Sequence, residues 1–210
     1  MCMDNIAELR PRFAELYKDF TSRQARFQGG DQNNIREACA KVRTWAMSPE
    51  IVDLNIVDFL IWRHGNGIAD VGQGSLAGHG CAESLRNAFF SITATMFAAA
   101  ARTNRISKAQ YEQWQSVFFA NAGFRSRIVF NRLVFACFPL QFCSVIDNER
   151  LQKVCRFLLE QGCLPSGLGL DDMDWFDLCE VIVPVVRAAF PNKDYADHST
   201  FLAAIGVVLN

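Results

Sequence analysis

The chain has 210 residues, half of them apolar and a fifth charged, and a net charge of −1 at pH 7. That length buries a sizeable core, the composition is that of a globular rather than a disordered chain, and the near balance of charge removes any overall pull toward nucleic acid or a membrane surface. Eighteen phenylalanines must find burial, in a core or against a partner.

From the N-terminus, "MCMDNIAELRPRF" has early acids and no apolar run, unlike a secretion signal. Ile6, Leu9, Phe13, Leu16, Tyr17 and Phe20 then recur at three and four residues, the stripe of an amphipathic helix. Ile35, Cys39, Val42 and Trp45 make a second stripe, stopped before Pro49. "IVDLNIVDFLIW" fits a helix better than a strand, and the glycine-rich stretch after it ends that element. Leu85, Phe89, Ile92, Met96 and Phe97 line a long helix within an uncharged run, Asn87 to Ala101, too short to span a bilayer.

Ser107 is placed as the N-cap of a helix carrying Tyr111, Trp114 and Phe118 inward, and Asn121-Ala-Gly123 breaks it. "FRSRIVFNRLVFACF" follows, closed by Pro139. Asp147 or Asn148 caps "ERLQKVCRFLLEQG", whose stripe is Leu151, Val154 and Leu158 and whose stop is Gly162. "MDWFDLCEVIVPVVRAAF" contains Pro184 and reads as one kinked helix or two short pieces. "TFLAAIGVVL" is the last apolar segment. The expectation is an all-α domain of about eight to ten helices, with possible sub-lobes 1–123 and 124–210 hinged near Gly123 or Gly162. The eight cysteines contain no C-x-x-C pair and mostly fall within apolar helical patterns, which predicts free thiols in a reducing cytoplasm.

Catalytic motifs fail one by one. The Walker pattern is absent and no Gly-Lys dipeptide occurs. "GNGIADVGQG" lacks G-x-G-x-x-G spacing, because Asp70 stands where the third glycine belongs. Ser75, in "GQGSLAG", misses the spacing of a nucleophile elbow. His64, Asp70, His79 and Cys81 have weak spacing for a metal and read better as loop histidines and a helix-initial cysteine. Asp171, Asp172 and Asp174 suit the start of a helix, where the dipole favours acids, better than acid–base chemistry. His198, beside Asp194 and Asp197, reads as a surface residue. No catalytic residue, metal, cofactor or small-molecule substrate is expected.

Charge is unevenly spread. Between Ala101 and Arg132, six cations (Arg102, Arg105, Lys108, Arg125, Arg127, Arg132) face one anion, Glu112; between Glu160 and Asp197, eight anions face two cations. The basic stretch is the candidate for phosphate contact, against the plainer reading of two solvated faces. The stretch Arg63 to Gly80 holds six of the thirteen glycines. With Arg63, Asn66, Asp70 and Gln73 it forms either a contact loop for DNA or a neighbouring module, or a tight connection packed on its own domain. Adjacent phenylalanines cannot both face one core from a single helix, so Phe89, Phe90, Phe118, Phe119, Phe135 and Phe138 open an alternative, an adaptor that docks a partner protein through an aromatic helical surface.

Two stretches carry a family resemblance: "FLIWRHGNGIADVGQGSL" (Phe59 to Leu76) and "FNRLVFACFPLQFCSVIDNERLQKVCRFL" (Phe130 to Leu158). In order and spacing they resemble the helical region that precedes the ATPase module in McrB-type AAA+ proteins of modification-dependent restriction systems. "DYADHSTFLAAIGVVLN", Asp194 to Asn210, looks like the approach to that module, with Phe201-Leu202 where such proteins often carry Phe-Leu-Trp. The likeness covers about two thirds of the chain in patches, and the chain departs from the family by lacking any Walker motif. What the resemblance implies is a non-catalytic recognition or adaptor module for defence against foreign DNA, with DNA as partner and the AAA+ motor C-terminal or on another chain.

Overall fold

The computed structural model describes residues 4–23, 30–47, 82–122 and 127–209. Among them are eight α-helices and no strand, the all-α class expected. They are α1 (Asp4–Arg23), α2 (Gly30–Met47), α3 (Ala82–Arg102), α4 (Lys108–Ala122), α5 (Arg127–Cys137), α6 (Asn148–Glu160), α7 (Trp175–Ala189) and α8 (Tyr195–Val208), with a 3-10 turn at Leu170–Asp172. The "IVDLNIVDFLIW" element and the glycine-rich stretch lie outside the described residues.

The chain forms two compact units, one of Met1–Asn33 with Leu140–Asn210, the other of Asn34–Pro139. The expected sub-lobes broke the chain once, at 123/124; these units break it at 33/34 and 139/140, and the first is discontinuous in sequence.

In the discontinuous unit, α1 packs on α7 and α8, and α6 packs on the same two helices. The inward stripe of α1 meets an aromatic cluster. Phe13 lies edge-on to Phe190 at 5.9 Å and to Phe201 at 6.4 Å, Tyr17 lies 5.1 Å from Phe190, and Phe20 meets Phe157 at 6.1 Å. Two α1 arginines reach helix C-termini, where exposed carbonyls and the dipole favour cations. Arg10 Nε donates to Ala188 O at the end of α7 (3.2 Å), and Arg12 Nη1 to Gln161 O and Gly162 O at the end of α6 (3.5 and 3.4 Å).

Gly162 is the stop its sequence position announces. Its φ is +65°, and the Gly162 and Cys163 N–H groups donate back to Leu159 O and Leu158 O, a Schellman ending. A Cβ there would also strike the Arg12 guanidinium. Asp147 caps α6 by accepting from Arg150 N (2.8 Å), and Asp174 caps α7 by accepting from Asp177 N (3.0 Å). α7 runs unbroken through Pro184, whose ring is exposed, so the alternative of two short pieces is corrected.

Residues 141–146 have no regular structure and are buried, so their polar groups need partners from elsewhere. Trp175 Nε1 donates to Val145 O (2.8 Å) while its ring stacks on Phe142 at 5.0 Å. Gln141 donates to Glu180 (2.9 Å), Ser144 Oγ to Ser199 O (3.4 Å), and Arg187 to Leu140 O (2.9 Å).

In the other unit, α3 and α4 form an antiparallel pair, and α5 packs on both. α5 is buried almost all round, from Val129 to Ala136. Phe89, Phe118, Phe135 and Phe138 are fully buried, so the expectation that this set faces a partner is corrected for those four; Phe90 stays exposed and Phe119 half-buried.

The six described cysteines are free. Burial pushes the Cys155 thiol up to about 12 and the Cys163 thiol to about 11, and raises Cys39 and Cys179 as well. Thiolate is the reactive form. A thiol reagent at pH 8 is therefore expected to leave these four unlabelled in the native protein and to label all of them in denaturant, mapped by peptide mass. Phe13→Ala removes the ring that links α1 to both α7 and α8. It is expected to lower stability by about 3–5 kcal/mol in urea unfolding.

Candidate nucleic-acid interface

The basic stretch divides once its residues are placed. α3 ends at Arg102, and the Thr103 N–H returns to Ala99 O (2.9 Å). Thr103 Oγ1 closes the turn by accepting from Arg105 N (3.1 Å), and Ile106, 5% exposed, anchors it in the core. Ser107 then caps α4 in a reciprocal arrangement. Its Oγ accepts from Gln110 N (3.2 Å), and Gln110 Oε1 accepts from Ser107 N (3.0 Å). This is the capping box that "SKAQ" encodes.

The outcome is a corner where Arg102, Arg105 and Lys108 stand within seven residues, the two arginines exposed and Lys108 half-buried. A fourth cation comes from α2, where Arg43 Nη2 donates to Asn104 Oδ1 in the same turn (2.9 Å). Sequence reasoning missed Arg43 because sixty residues separate it from the stretch, and nothing in its local pattern announces a partner there.

The first turn of α4 contains no acid, although its N–H groups and macrodipole favour negative charge. Lys108 opens the helix and Arg105 precedes it. Arg102, in the last turn of α3, is favourably placed for its own helix and adds to the positive field. A phosphate approaching this corner meets a helix N-terminus and four cations.

The remaining candidates are not brought together with it. Arg127 is exposed at the start of α5, which follows the far end of α4, about 20 Å of helix from Lys108. Arg132 is corrected outright. It is 1% exposed and sits in the interior of its unit, because α5 is covered on every side and leaves it no path to solvent. Its neighbour Asn131 is committed to the core too, accepting from Tyr111 Oη (2.8 Å), which in turn accepts from Gln115 Nε2 (3.1 Å). Arg125 and the loop residues Arg63, Asn66, Asp70 and Gln73 lie outside the described residues.

Acidic residues take structural roles. Asp171 pairs with Arg156 at 2.6 Å in the exposed 3-10 turn region, and Asp174 is the cap of α7. His198, expected at the surface, is buried with 7% exposure beneath the α7–α8 turn. Among the described residues no cluster of histidine, cysteine or acid is arranged to hold a metal, and no helix is long and apolar enough to cross a membrane. The chain matches no family model, no curated protein and no solved structure.

The contrast between the two arginines of α5 is measurable. Arg132→Ala empties a filled interior and is expected to cost about 3 kcal/mol in urea unfolding. Arg127→Ala, at the exposed start of the same helix, is expected to stay within about 0.5 kcal/mol.

Proposed function

We propose that the chain is a non-catalytic recognition module that contacts DNA phosphates through the α3–α4 corner. The observation that carries the proposal is the gathering of Arg102, Arg105, Lys108 and Arg43 at a helix N-terminus without an acid in its first turn. A helix N-terminus with cations beside it and no acid in its first turn suits an anionic ligand. Phosphate contacts of this kind position a protein on nucleic acid without reading sequence.

The resemblance of Phe59–Leu76 and Phe130–Leu158 to the region preceding the motor of McrB-type proteins supplies the setting. In that setting the chain serves anti-phage restriction in the cytoplasm, and nucleotide hydrolysis belongs to an AAA+ module beyond it or on another chain. A base modification, if one is read, is read by groups other than this corner.

A second reading draws on a specific observation. Phe90 and Val117, on the paired helices α3 and α4, are 37% and 40% exposed. Large apolar groups left outward on adjacent helices suit a docked protein partner.

Titration of a fluorescent duplex at several salt concentrations tests the first reading. With three to four phosphates neutralised, log K is expected to fall with log[salt] at a slope of about −3. The Arg102→Glu/Arg105→Glu/Lys108→Glu variant should bind at least tenfold more weakly with an unchanged helical circular dichroism spectrum. No binding by the parent at low salt, with both modified and unmodified DNA, overturns the reading; assembly with a motor chain that survives the charge reversal then favours the adaptor.

A further inference from the structure

The turn between α7 and α8 covers a buried imidazole, His198. Phe190 O accepts twice, from Lys193 N at 3.0 Å and from His198 Nε2 at 3.1 Å. A carbonyl only accepts, so the neutral His198 ring carries its proton on Nε2 and leaves Nδ1 as a bare lone pair. That Nδ1 is buried and has no hydrogen-bond partner. The same Phe190 turns its ring to α1, 5.9 Å from Phe13 and 5.1 Å from Tyr17, and lies 5.5 Å from Phe201 of α8. Lys193, whose N–H shares the Phe190 carbonyl, holds its ammonium 5.5 Å over the Tyr17 ring. One hydrogen-bonded turn therefore forms the platform on which the aromatic face of α1 rests.

The charged groups that act on the ring are Asp194 and Asp197 of α8 and Arg187 of α7. Lys193 of the turn and Arg10 and Tyr17 of α1 make their contacts elsewhere, on the Tyr17 ring, on Ala188 O and on Phe190. The two aspartates favour an imidazolium, but each is committed to the α8 capping box. Asp194 Oδ1 accepts from Ala196 N and Asp197 N (2.9 and 3.0 Å), and Asp197 accepts from Asp194 N (3.3 Å). Neither accepts from His198 Nδ1. Burial is the largest influence on the ring and holds its pKa below the ordinary imidazole value of 6.5; the bond to Phe190 O and the two aspartates oppose it, and Arg187 acts with it.

We propose that the seating of α1 on its unit is proton-linked through His198: the neutral ring is held in the interior by its bond to Phe190 O, whereas the imidazolium buries a charge and an Nδ1–H that has no acceptor there, a cost relieved when the ring reaches water and the Phe190 platform releases α1. The ring takes one proton from solvent and nothing else changes covalently. A group that titrates lower when α1 is seated than when it is free stabilises the seated state fully above pH 6.5. That contribution is lost as pH falls below 6.5. This device lies in the unit that does not contain the α3–α4 corner, and neither proposal depends on the other.

Hydrogen exchange of the full chain read by mass spectrometry, with intrinsic rates corrected for pH, tests it. Between pH 7.5 and 5.5, protection of α1 amides is expected to fall up to about tenfold more than that of α3 amides, the limit for a free imidazole one unit below its pKa. His198→Gln keeps a donor for Phe190 O but cannot charge, and should abolish the difference. Equal loss in α1 and α3, or an unchanged pH response in His198→Gln, overturns the proposal. Should that variant not fold, NMR titration of the His198 ring in the unaltered protein decides: a midpoint below 6.5 supports the linkage, and one at or above it overturns it.

Discussion

The rings of Phe13 and Tyr17 against Phe190 and Phe201 join the first helix of the chain to its last two. The rest of the discontinuous unit is arranged around that contact. α1 brings the arginines that satisfy the ends of α6 and α7, and it packs on the turn that covers the buried His198. The burial of 141–146 shows the same economy. The irregular segment is tied into the interior by Trp175 on Val145 O and by its own Gln141 and Ser144 side chains on Glu180 and Ser199 O, with Arg187 on the adjoining Leu140 O.

The second unit divides its charged residues by role. On α5, close packing on all sides takes Arg132 and Asn131 into the interior, where they act on packing and hydrogen bonding. At the α3–α4 corner, cations gather at a helix start that would be better served by acids. A protein tolerates local electrostatic conflict at a site where something else is gained. What the structure places there is Lys108 at the helix start, Arg105 before it and no acid in the first turn.

Much of the fold was legible in the sequence. Helical periodicity found the stripes of α1, α3 and α4, and the stop at Gly162 and the caps at Ser107 and Asp147 came from local chemistry that acts over three or four residues. Three things were not legible, and each depends on tertiary contact. Arg132 reads as a surface cation because its position on α5 says nothing of a helix enclosed on all sides. His198 reads as exposed because two nearby aspartates imply a polar surface, whereas those aspartates face along the helix to cap it. Arg43 joins the candidate site through Asn104, a partner 61 positions away. Of the ten proposed contact residues, the structure gathers Arg102, Arg105 and Lys108 at one corner.

The interleaving of the two units imposes an order on synthesis. Residues Asn34–Pro139 emerge and can close on themselves while the helices that receive α1 have yet to be translated. Phe13 must wait for Phe190 and Phe201, nearly the whole chain later, with its apolar stripe meanwhile open to water or to chaperones. Closing a loop of that span is slow relative to forming an α-helical hairpin. Nascent-chain maturation would therefore proceed from the middle outward, with the N-terminal helix arriving late at a site made by the final helices.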